Sequence, residues 1–132
     1  MNEIVNPEAW PRPRGYANAI SASGRLVFVA GQIGWTPAEV FESDDFVDQV
    51  RQALRNTVSV LEAAGAGPEH VARMTWYVLD KQEYKTRGPE LGAVYREVMG
   101  RNFPAMTLVQ VAALVEDRAR VEIESTAVVP EP

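Results

Sequence analysis

Two runs near the C-terminal end decide the fold. They are Phe103-Pro104-Ala105-Met106-Thr107-Leu108-Val109-Gln110-Val111-Ala112-Ala113-Leu114 and Arg120-Val121-Glu122-Ile123-Glu124-Ser125-Thr126-Ala127-Val128-Val129, separated by the charged connector Glu116-Asp117-Arg118. Apolar runs of this length, broken by a polar connector, read as two strands joined by a hairpin or a close crossover. In the second run Val121 and Ile123 point to one side, with Thr126 as their candidate continuation, and Glu122 and Glu124 point to the other. Two carboxylates on one face of an otherwise apolar strand mark either a wet sheet face or a site.

Upstream, Val47, Val50, Leu54, Val58 and Leu61 recur at three-to-four spacing, which predicts a helix with one apolar face. Ser43-Asp44-Asp45 offers N-caps and negative charge at its start, and Gly65 stops it. Pro68-Glu69-His70 predicts a turn, with His70 a solvated loop residue, followed by a strand over Val71 to Leu79. A second helix opens at Gly88-Pro89, buries Leu91, Val94, Tyr95 and Val98, and ends at Gly100. Near the N-terminus, Ala17 to Ser21 and Arg25 to Ala30 read as strands of a hairpin turning at Ser23-Gly24. The first ~14 residues, with Pro7, Pro11 and Pro13, are expected to run extended, pinned by Trp10. The stretch Asp80 to Gly88 reads as a long loop. The order is β-β-α-β-α-β-β, which predicts an α+β domain with two helices on one mixed sheet. Residues 1–132 form a single domain in this reading, with no repeat or linker.

Composition narrows the chemistry. There is no cysteine, which excludes disulfides, thiolate catalysis and cysteine-ligated metals. His70 is the sole histidine, which argues against a His-based metal site or a Ser-His-Asp triad. No metal or cofactor is expected. Eighteen acidic against 13 basic residues give a net charge of −5, and no Lys/Arg run exists. Nucleic-acid binding rests on phosphate neutralisation, so no nucleic-acid partner is expected. No apolar run approaches the ~20 residues of a membrane span, and the N-terminus lacks the basic-then-apolar order of a signal peptide. A cytoplasmic protein without a membrane partner is the expectation.

Several of these stretches carry a family resemblance. Pro104-Ala105-x-Thr107, Val109-x-Val111-Ala112-x-Leu114 and Val121-Glu122-Ile123-Glu124-x-x-Ala127 resemble the C-terminal signature of the RidA family, also called the YjgF/YER057c/UK114 family. Gly15-Tyr16, Val27-Phe28-Val29-Ala30-Gly31-Gln32-Ile33, Ala63-Ala64-Gly65 and Met74-Thr75-Trp76-Tyr77-Val78 follow the family's order upstream. The resemblance implies the chorismate-mutase-like fold, a homotrimer whose three sheets form a central barrel, and small-molecule clefts between subunits.

It also implies roles for particular residues. Glu122 takes the place of the cleft carboxylate that orients water or assists proton transfer during imine hydrolysis. Tyr16 takes that of a cleft-lining tyrosine, and Ala30 and Gly31 that of cleft-edge backbone. Met106 stands where deaminating members have an arginine that forks onto the substrate carboxylate, and Leu108 shares its strand face. Methionine offers neither charge nor donor, only adaptable apolar contact. The family's cleft asparagine aligns with Gly92 or a neighbour, so that polar contact is absent too. Arg120 and Arg73 are the candidates for a displaced cation. Trp35, Trp76 and Tyr77 are candidates for an aromatic wall.

Two functions follow. One is a deaminase or hydrolase of imine or enamine metabolites other than small 2-imino acids, with Glu122 as acid/base. The other is a non-catalytic trimeric module binding an apolar small metabolite. Ribonuclease activity, sometimes attached to this family, is disfavoured by the acidic balance.

Overall fold

The computed structural model describes residues 2–132. Its strands are β1 (Glu3–Val5), β2 (Ala19–Ser21), β3 (Arg25–Ile33), β4 (Val71–Val78), β5 (Ala105–Gln110) and β6 (Val121–Val129). Its helices are α1 (Phe46–Ala63), α2 (Lys81–Thr86) and α3 (Gly88–Met99), with a 3-10 turn at Pro68–His70. The main sheet has the order β3-β6-β4-β5. β6 runs antiparallel to both of its neighbours, while β4 and β5 are parallel. The fold is the expected α+β sheet with α1 and α3 on one face, and α2 is a short addition. No helix among the described residues is long and apolar enough to cross a membrane.

Helix α1 forms where its caps and apolar spacing put it. The Asp45 carboxylate accepts from the Asp48 amide, satisfying one of the first turn's free donors. At the other end Gly65 adopts φ +74°, a conformation costly for any residue with a Cβ. That turn lets Ala66 N donate to Leu61 O at 2.8 Å and Gly65 N to Glu62 O at 3.0 Å. The buried face of α1 (Val50, Ala53, Leu54, Leu61) packs on the sheet, where Met74, Val78, Val121 and Ile123 are fully buried. Burial of this size is the main favourable term in folding, at about 25 cal/mol per Å² of apolar surface.

Two polar side chains are buried among these apolar ones. The Gln49 Nε2 donates to Ser43 O and Arg118 O, and its Oε1 accepts from the Arg120 amide. One side chain thereby ties α1 to the connector leading into β6. The Asn56 Nδ2 donates to Ile33 O and Trp35 O, fixing the end of β3 over α1.

Several expectations are corrected. The run from Phe103 and the run from Arg120 are not a hairpin, because β4 lies between them; the crossover is the arrangement formed. The first of these strands is also shorter than its apolar run, ending at Gln110. Ser125, not Thr126, continues the buried side of β6, as strict alternation from Val121 requires. Its Oγ is buried without a hydrogen-bond partner among the described residues. Ala19–Ser21 does not pair with β3 but with β1, so the N-terminal arm supplies the strand that completes that ribbon. Trp10 is 58% exposed and is not part of the core. The stretch after Asp80 is not a loop: α2 is capped by the Asp80 carboxylate accepting from the Gln82 amide. Its residues KQEYKT bury no side chain, so no apolar period announces it. His70 is a structural residue, its Nδ1 accepting from Gly67 N at 3.0 Å to close the 3-10 turn.

Candidate functional site

The sheet face away from the helices carries the first group of expected site residues. Across strands, Tyr77 stands beside Glu122 and Thr75 beside Glu124, so both carboxylates lie on that outer face. A break in register between Val29 and Gln32 places Ala30 and Gly31 in a bulge of β3. The Glu122 side chain occupies the space that a side chain at position 31 would need: a Cβ there would come within 2.7 Å of Glu122 Cδ. The two carboxylates are used differently. The Tyr77 hydroxyl donates to Glu124 Oε1, and that bond to an acidic neighbour raises the phenol's pKa above its ordinary value. Glu122 receives no such bond from any described residue. A broad hollow of about 590 Å³ spreads over this face, with Ala30, Arg73, Thr75, Glu124 and Thr126 in its lining.

The second group lies at the other edge. Met106 pairs with Met74 and Leu108 with Trp76, both core residues, so Met106 and Leu108 face the helices. They are half-buried and packed against the core. Tyr16 joins them, together with Tyr84 of α2, around a hollow of about 190 Å³. An adjoining hollow of about 360 Å³ reaches from Met106 past Trp76 and Tyr84 to Gly92 and Arg96 of α3. Its walls are aromatic: Trp76 meets Tyr84 edge-on at 6.1 Å, and Tyr95 stacks on Phe103 at 5.5 Å.

One chain therefore brings Gly31 to Glu122, and Tyr16 to Met106 and Leu108, but it does not bring the two groups together. β6 and β4 lie between the strands that carry Gly31 and Met106, and the acidic and apolar groups occupy opposite faces.

Residues 8–129 match the family model described as endoribonuclease L-PSP. A RutC family protein of Pyrococcus horikoshii is 37% identical over 130 residues, covering 96% of this chain and 98% of its own. The chain belongs to the RidA family. The human 2-iminobutanoate/2-iminopropanoate deaminase is 32% identical over 114 residues, 86% of this chain and 79% of the human one. Among solved structures, a Rid-family protein of unknown function from Yersinia pestis superposes with a TM-score of 0.86 at 28% identity, over 97% of this chain and 98% of its own. A YjgF/YER057c/UK114 family member from Mycobacterium tuberculosis is 36% identical, with a TM-score of 0.64 and 88% of both chains covered.

The two candidates for a displaced cation in this RidA-family chain differ in their surroundings. The Arg120 guanidinium is paired with Glu83 at 2.5 Å. Arg73 lines the outer hollow and also one of about 400 Å³ at the start of β5, whose lining includes Met106. The cations that line the aromatic hollow with Met106 are Arg96 and Lys85, which sequence reasoning passed over. The signal was present: Arg96 lies four residues after Gly92, hence on the same helix face. Of the aromatic candidates, Trp76 walls the Met106 hollow and Tyr77 lies on the outer face. Trp35 packs against Phe41 instead, with ring centres 5.8 Å apart. Among the described residues no group of three or more His, Cys, Asp or Glu is placed to hold a metal ion.

Proposed function

We propose that this protein hydrolyses imines or enamines in clefts between copies of the chain, with Glu122 as acid/base and substrates other than small 2-imino acids. The observation that carries this reading is the split between the Gly31–Glu122 group and the Tyr16–Met106–Leu108 group. Each is half a site on its own. A neighbouring copy that lays its outer sheet face along the β5 edge joins the two halves, and three such contacts close a homotrimer around a barrel. The outer face has the character of a surface to be covered: Phe28 is 74% exposed and Leu26 56%.

In the proposed reaction water attacks the imine carbon while Glu122 accepts a proton from it. Glu122 returns that proton to nitrogen to give the carbinolamine, and the hydroxyl proton then passes through Glu122 to the same nitrogen as the C–N bond breaks, leaving a carbonyl and ammonia. Glu122 suits this exchange because Gly31 leaves room for it and no neighbouring donor occupies it. Names carried by relatives, including the human deaminase, favour the same chemistry. Met106 favours a second reading, a trimeric binding module without turnover, because a missing carboxylate clamp removes an orienting contact.

The test pairs sedimentation with ammonia release from imines generated in situ by an amino-acid oxidase. A trimer that releases ammonia faster than buffer, and a Glu122→Gln variant slowed at least tenfold, are expected. A monomer at micromolar concentration would defeat the shared cleft. A trimer that binds ligand without releasing ammonia would select the binding module.

A further inference from the structure

We infer that Arg96 is the carboxylate-recognising residue of the Met106 hollow, and that this hollow takes an organic monocarboxylate with an aromatic or bulky apolar body. The inference rests on the reading of that hollow as the ligand-holding half of the cleft.

Gly92 and Arg96 are one turn apart on α3. A Cβ built on Gly92 would come within 3.3 Å of Arg96 Nη1 and 4.0 Å of its Cζ, so the guanidinium lies across the bare glycine. A side chain at position 92 would crowd the guanidinium where it lies. Several other arginines are occupied, whereas among the described residues Arg96 and, beside the start of β5, Arg73 are not. Arg51 and Arg55 pair with Glu97, Arg87 with Asp45 and Glu90, and Arg118 with Asp44. Among the described residues no ion pair or hydrogen bond engages the Arg96 guanidinium, in a chain with 18 acidic residues against 13 basic ones. Lys85 is a second cation on the same lining, and no acidic side chain contributes to it.

The rest of the lining sets the kind of anion. Trp76, Tyr84, Phe103 and Met106 offer rings and a thioether, and the space is about 360 Å³. That is the lower end of the range for enclosed drug-sized ligands, far more than a three- or four-carbon acid fills. A planar guanidinium grips a carboxylate through two parallel N–H bonds, which an ammonium does not, so Arg96 rather than Lys85 carries the recognition. A clamp at position 96 on α3 puts the carboxylate at the helix side of the hollow and leaves the apolar body against Met106.

The test is calorimetric titration of the full chain with phenylacetate, phenylacetamide and acetate, comparing wild type with Arg96→Gln and Arg96→Lys. Phenylacetate is expected to bind wild type more tightly than acetate or phenylacetamide does. Arg96→Gln should weaken phenylacetate roughly tenfold or more and leave phenylacetamide unchanged, with Arg96→Lys between. Equal phenylacetate affinity in wild type and Arg96→Gln, or none in wild type, overturns the inference. Failure of the hydrolase reading shows separately: Arg96-dependent binding without ammonia release leaves this inference standing. Ammonia release from the phenylalanine-derived imine with the same KM in wild type and Arg96→Gln overturns it while leaving the hydrolase intact.

Discussion

The carboxylate of Glu122 lies in the space left by the missing side chain of Gly31, so that a Cβ on the glycine would stand 2.7 Å from Glu122 Cδ. The glycine does not need an unusual backbone conformation there, since its φ is not among the positive values of the chain. Its role is to make room, and substitution tests that role without disturbing the backbone.

Gly31→Ala is therefore expected to fold with stability within about 1 kcal/mol of wild type, because the group that must yield is the flexible end of a half-buried side chain. Its activity should drop at least tenfold, toward that of Glu122→Gln, because Glu122 is pushed from its place. Thermal unfolding and ammonia release measured on the same preparation check both parts. Wild-type activity in Gly31→Ala would show that the position of Glu122 is immaterial to turnover.

Met106→Arg should gain affinity for a small 2-oxo acid such as pyruvate, and it should do so only partly. Within one chain Glu122 lies on the opposite sheet face, so the Glu122 that pairs with the new guanidinium and limits the gain is the one a neighbouring copy brings to the proposed cleft. A second opposing effect is repulsion by Arg96 and Lys85, which line the same hollow. Titration with pyruvate across a series of salt concentrations should show binding that weakens as salt rises. No pyruvate binding by a folded variant would mean that position 106 does not meet the ligand.

Gln49→Leu should cost about 3 kcal/mol, seen as a fall of roughly 10 °C in Tm. The side chain is 1% exposed and serves Ser43 O, Arg118 O and Arg120 N, so leucine would leave three polar groups unpaired under the sheet. A shift of under 2 °C would mean that water replaces those bonds without loss.

Asp45 joins the starts of two helices: it caps α1 and pairs with Arg87 at 2.5 Å, just before α3. The hydrogen bond from Arg87, outweighing the cost of burial, holds its carboxyl below the ordinary value of 3.8. A depressed carboxyl stabilises the fold fully above its unfolded value and loses that contribution as pH falls through the lower folded value. The stability difference between wild type and Asp45→Asn should thus be flat from neutral pH to about 4 and shrink below it. Asp45→Ala also removes the cap and should cost about 1 kcal/mol more. Urea unfolding at several pH values decides it, and a difference that grew on acidification would contradict the assignment.

What the sequence by itself determined is local. The spacing of Val47 to Leu61, the caps at Asp45 and Gly65, and the alternation of Val121 to Glu124 each depend on neighbours within a turn or a pleat, so they are legible in order along the chain. The residue types of the candidate site were read in the same way, as motifs on single strands. Tertiary structure decided what meets what. Insertion of β4 between β5 and β6 put Glu122 and Met106 on opposite faces, a fact about strand order that no local pattern carries. Helix α2 stayed hidden because a short polar helix held by its cap has no apolar period to display. Arg96 gained its meaning from Gly92 four residues away and from a sheet strand brought beneath both by the fold, since a charged residue on a helix surface becomes a candidate clamp only when folding leaves it unpaired beside an apolar hollow.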